Sequence, residues 1–93
     1  MLYAARLELD LPYSSSLKDK RQTIRSLRDR LRRKNVSVVE SGNQDFWQRA
    51  TLEIALAAVS RGAAEEKREE VRRFLLNYDE LMVADWREEF VKL

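Results

Sequence analysis

Ninety-three residues make one small domain and leave too little chain for two cores, and a hydrophobic share of 44% supplies that one core. There is no Cys and no His, which removes disulfides, thiolate metal sites and thiol nucleophiles, together with the commonest general base and metal ligand. The net charge is +2, from 18 basic and 16 acidic side chains.

Met1 to Leu11 alternates with period two, which predicts a half-buried strand. Tyr3, Ala5, Leu7, Leu9 and Leu11 fall on one face; Leu2, Ala4, Arg6, Glu8 and Asp10 fall on the other. This segment lacks the basic-then-apolar order of a signal peptide, and no apolar run approaches the roughly 20 residues that span a bilayer. A cytoplasmic protein with no membrane association is therefore expected. Pro12 to Ser15 is turn chemistry.

Ser16 stands where a helix N-cap belongs, with Asp19 at capping-box spacing. Leu17, Ile24, Leu27 and Leu31 form an apolar stripe, so a helix is predicted from Leu17 to about Lys34, stopping at Asn35. Val36 to Glu40 reads as a short strand. Ser41-Gly42-Asn43-Gln44-Asp45 reads as a solvated turn rather than a ligand loop. Phe46 to Ser60 alternates as a long strand, with Trp47, Arg49, Thr51, Glu53, Ala55, Ala57 and Val59 on one face.

Gly62 interrupts that pattern. Ala64, Lys67, Val71, Phe74 or Leu75, and Tyr78 then mark a second amphipathic helix, with Glu65, Glu66, Glu69 and Glu70 in its first half. Leu81 to Leu93 reads as a last strand. A bulge near Asp85 would reconcile Leu81 and Val83 with Trp86 and Phe90. The order β-α-β-β-α-β predicts an α+β ferredoxin-like fold over residues 1–93: a four-stranded antiparallel sheet with two helices on one face. Strands one and three are expected at the centre, each crossover landing its strand beside a parallel neighbour.

The charge is polarised. Residues 1–34 hold ten basic and four acidic side chains, whereas residues 63–93 hold six and nine. The candidate nucleic-acid contacts are Lys18, Arg21, Arg25, Arg28, Arg32 and Arg33 on the first helix, since rows of Arg and Lys match a phosphate backbone. They are expected to spread around the solvent half of the helix, with Lys20 and Arg21 nearer the core edge. The alternative is a solvated face partly neutralised by Glu65, Glu66, Glu69 and Glu70.

Trp47 is expected on the sheet face opposite the helices. A base-stacking sheet of this architecture places rings on both central strands, and the first strand offers none on that face. Leu2, Ala4, Trp47, Ala55, Ala57 and Val59 are instead expected to form an apolar face that closes a homodimer. The loop LPYSSSLKDK lacks the glycine-rich phosphate cradle of acylphosphatase-like hydrolases of this size, and with no His, no Cys and no convincing carboxylate pair, no enzyme, metal or cofactor is expected.

SLKDKR at Ser16 to Arg21, RSLRDRL at Arg25 to Leu31, NVSV at Asn35 to Val38 and DFWQRATL at Asp45 to Leu52 resemble the YlxP-like family, a bacterial domain of unknown function. The resemblance covers almost the whole chain, matching only in pattern from Arg61 onward. It implies a ferredoxin-like fold and no assigned reaction. The family's genes often lie beside translation-initiation and ribosome-maturation factors, which implies a translation link by association. Two expectations result: an RNA- or ribosome-binding accessory factor, or a homodimeric interaction module without nucleic-acid affinity.

Overall fold

A computed structural model describes residues 1–93 as six elements: β1 (Leu2–Asp10), α1 (Leu17–Arg33), β2 (Ser37–Gly42), β3 (Arg49–Ala57), α2 (Arg61–Leu76) and β4 (Met82–Val91). The sheet order is β2-β3-β1-β4, so β1 and β3 are central as expected. Every neighbouring pair is antiparallel, and this corrects the expected parallel neighbours. Each helical crossover lands its strand one position beyond the adjacent one, leaving a slot that an antiparallel strand fills.

The period-two pattern of β1 places Tyr3, Ala5, Leu7 and Leu9 in the core beneath the helices. Ala50, Leu52, Ile54 and Leu56 of β3 join them, and Ile24, Leu27 and Leu31 of α1 and Ala64, Val71 and Leu75 of α2 close the layer above. Fully burying each Leu or Ile contributes about 1.5–3 kcal/mol of hydrophobic transfer.

Both helices are capped as their sequences dictate. Ser16 Oγ accepts from the Asp19 amide at 3.1 Å, and Ser60 Oγ accepts from the Ala63 amide at 3.1 Å. The Asp19 carboxylate accepts from the Ser15 hydroxyl and then from its amide, which holds it below the ordinary carboxylate value. Helix α1 ends in a Schellman motif: Asn35 takes φ 61°, its amide donates to Arg32 O at 3.0 Å, and the Val36 amide donates to Leu31 O at 3.1 Å.

The β1–β4 register shifts between Glu8 and Leu9, skipping Ala84 beside Asp85. This bulge brings Val83, Trp86 and Phe90 to the helix side, opposite Leu9, Leu7 and Tyr3. At that edge Trp86 Nε1 donates to Tyr3 Oη at 2.9 Å, and Tyr3 in turn donates to Glu88, which Arg68 of α2 pairs at 3.0 Å.

The predicted strand Phe46 to Ser60 is shorter at both ends. Residues 43–48 form the β2–β3 loop, where Asn43 takes φ 57° and its carbonyl accepts from the Phe46 amide at 3.1 Å. Val59 lies in the connection to α2 and is 98% exposed. The alternation of Phe46 to Gln48 continues that of β3 in sequence, but Asn43 turns the chain before pairing begins.

Candidate nucleic-acid interface

Helix α1 carries its cations on two flanks. Arg30 and Lys34 lie toward α2, over the rings of Tyr78 and Phe74 at 5.4 and 5.2 Å. On the other flank, Arg21, Arg25, Arg28 and Arg32 line one hollow of about 370 Å³ beside β2, with Ile24, Asp29 and Glu40. The cause is spacing: positions 21, 25, 28 and 32 are separated by four, three and four residues, which keeps them on one side of a 3.6-residue helix. Lys18 extends the same row by three residues, and the row from Lys18 to Arg32 spans about 21 Å. Of the six candidate cations, the hollow gathers Arg21, Arg25, Arg28 and Arg32, and Lys18 does not line it. Arg33, in the last turn, does not line the hollow.

The hollow keeps a positive surplus. Asp29 approaches Arg32 only to 3.9 Å, with both side chains about half exposed, and such a pair is worth about 0–1 kcal/mol. Glu40 is held from beneath by Lys20, which is 2% exposed and places Nζ 3.0 Å from Glu40 Oε2. The same Nζ donates to Asn43 O, which pins the β2–β3 loop to the first turns of α1. Arg28 Nε is buried without a hydrogen-bond partner. Helical spacing alone places Lys20 only at the core edge of the leucine stripe. Its fully buried ammonium could have been inferred only from a facing acid, and Glu40 is twenty residues away.

The glutamates of α2 do not neutralise this row. Glu65 pairs with Arg61 at 3.0 Å, Glu70 with Lys67 at 3.0 Å and Glu69 with Arg68 at 3.2 Å. The Lys67 contact holds Glu70 below the ordinary carboxylate value, with Lys34 adding only a field effect. No ion pair joins the two helices.

The expected apolar sheet face is also corrected. Leu2 pairs with Ala57 and Ala4 with Ala55, so these four share the face opposite the helices. Trp47 and Val59 do not, because both lie in loops beyond the ends of β3. Much of the remaining open face is charged. Arg6 lies across from Glu53 on one side and Arg87 on the other. A shallow groove of about 510 Å³ crosses it between Ala4, Ala55, Val39, Glu53 and Glu89.

Comparison with known proteins gives three findings. A family described as "Protein of unknown function (DUF503)" matches residues 2–88. The protein of Bacillus subtilis (strain 168) described as "Uncharacterized protein YlxP" is 34% identical over 82 residues, covering 87% of this chain and 89% of that protein. The structure of "De novo designed protein Foldit4" superposes with a TM-score of 0.61 at 11% identity, covering 99% of this chain and all of the designed one, a likeness of fold alone.

Proposed function

The chain belongs to the DUF503 family, and from its geometry we propose that it is a non-enzymatic RNA-binding accessory protein that grips phosphates through α1. The observation that carries this reading is the convergence of Arg21, Arg25, Arg28 and Arg32 on one hollow whose acids are already engaged or weakly placed. Guanidinium groups suit bidentate phosphate contacts, and a row of them binds by counterion release with little base preference. Lys18 extends the row, while Arg33 adds charge at its C-terminal end. The genomic company implied by the YlxP-like resemblance supports ribosomal RNA as the target and a role in translation.

The test is binding to labelled ribosomal RNA beside a random RNA of equal length. Preference for the ribosomal target supports a ribosomal accessory role, equal binding supports RNA affinity alone, and no binding refutes the reading.

A second reading is a homodimeric interaction module using the open sheet face. The paired apolar residues Leu2, Ala4, Ala55 and Ala57 favour it, as do charges of both signs beside them, Arg6 and Arg87 with Glu53 and Glu89, which a second copy could pair.

A further inference from the structure

Eight aromatic residues divide into two sets. Tyr3 and Tyr78 are buried, and Phe74, Trp86 and Phe90 pack against the core. The other three, Tyr13, Phe46 and Trp47, are 80%, 57% and 48% exposed and contribute nothing to that cluster. All three lie at one end of the sheet. Tyr13 is in the loop after β1, and Phe46 and Trp47 are in the β2–β3 loop. The two loops are stapled together: the Leu11 amide donates to Gln48 O at 2.9 Å, and Gln48 Nε2 donates to Ser14 O at 3.2 Å.

The β2–β3 loop is also tied to the arginine row. Lys20 of α1 donates to Asn43 O, and Gln44 Nε2 donates to Glu40 O at 3.1 Å, so the loop leaves directly from the β2 rim of the hollow. Asn43 Nδ2 bonds Thr51 Oγ1 at 2.8 Å, which fixes the loop from the sheet side as well. Exposed rings on a pinned loop, at the N-terminal end of a basic row, combine the two parts of a single-strand site: a cationic track for the backbone and flat faces for bases.

Resting on the RNA-binding reading above, we propose that Phe46 and Trp47 form a stacking platform for unpaired bases, so that the protein's ligand is single-stranded RNA rather than duplex. Tyr13 stands on the adjoining loop as a third exposed ring. A duplex offers phosphates to α1 but keeps its base faces stacked internally, where these rings cannot reach them.

The test compares a fluorescein-labelled single-stranded oligonucleotide with a blunt duplex of the same length, against the wild type and a Phe46→Leu/Trp47→Leu double variant. Both rings are exposed, so the variant is expected to melt like the wild type. The expected result is tighter binding of the single strand by the wild type, with a loss of about five-fold or more in the variant for that ligand only. Equal binding of both ligands by both proteins overturns the platform and leaves the phosphate reading standing. Failure of the wild type to bind either ligand overturns the phosphate reading, and the platform with it.

Discussion

Lys20, almost wholly buried, holds Glu40 at 3.0 Å from beneath the hollow that four arginines line. An acid at the rim of a basic hollow would otherwise pair with those arginines and oppose phosphate. Bound to Lys20, it forms no ion pair with them. The pair thus links the packing of α1 against β2 to the charge that α1 presents outward.

Removing one member of a pair this buried leaves the other without compensation, at a cost of about 3–5 kcal/mol. Lys20→Met is expected to fall at or below the lower end of that range, because Glu40 can turn outward to the arginines. The same turn is expected to weaken RNA binding. Urea unfolding and an RNA titration of one variant check both effects; a destabilised variant with unchanged RNA affinity would show that Glu40 does not govern the hollow.

Gly42 faces Thr51, and a Cβ there would sit 3.2 Å from Thr51 Oγ1 and 3.3 Å from its Cβ. Thr51 has no room to yield, because it is buried and its hydroxyl is held by Asn43 at 2.8 Å and Glu8 at 2.6 Å. Gly42→Ala is expected to cost about 1–3 kcal/mol by overpacking. It should also loosen the loop carrying Phe46 and Trp47, seen as faster amide exchange over residues 43–48.

Stability should fall at both pH extremes through the Tyr3–Glu88 contact. Burial pushes the Glu88 carboxyl up, but hydrogen bonds from Tyr3 and Trp86 and the Arg68 charge bring it below the ordinary value. Its contribution is therefore complete above the ordinary Glu pKa of about 4.3 and lost as pH falls through the lower folded value. Burial, then the bond to Glu88, raise the Tyr3 phenol above its usual value. That contribution is complete below about pH 10 and lost as pH rises further. In urea midpoints, Glu88→Gln should be less stable than wild type at pH 7, with the gap closing toward pH 3. Tyr3→Phe should lack the alkaline decline.

The fold was legible because its signals were local. The alternation of β1, the Ser16 cap, the leucine stripe of α1 and the Asn35 stop each state their element within a few residues. Even the bulge at Ala84 was visible as a clash of register between Val83 and Trp86. The site was less legible, because it depends on which flank of a helix meets which strand. The spacing of Arg21, Arg25, Arg28 and Arg32 was present in the sequence, but the strand beside them was not. Trp47 was misplaced for a related reason: Asn43 turns the chain through a left-handed residue, and alternation continuing through Phe46 to Gln48 conceals the turn.

The open sheet face admits a separate test. Ala55 lies exposed across from Ala4, so Ala55→Glu should fold normally and, if the face closes a dimer, yield monomers in light scattering where the wild type gives dimers. A monomeric wild type refutes the dimer outright. Trp47→Glu is expected to leave the oligomeric state unchanged, since its loop lies off this face.

The most direct measurement of the phosphate reading is fluorescence anisotropy of a labelled RNA across a salt series. It would compare the wild type with Arg25→Glu/Arg28→Glu/Arg32→Glu, after confirming that the two share one melting temperature. The expected result is wild-type affinity falling log-linearly with salt, with a slope of about 0.7 per neutralised phosphate, and loss of binding in the variant. No wild-type binding at about 0.1 M salt, where screening acts over roughly 10 Å, would contradict it, as would equal affinity of the two proteins.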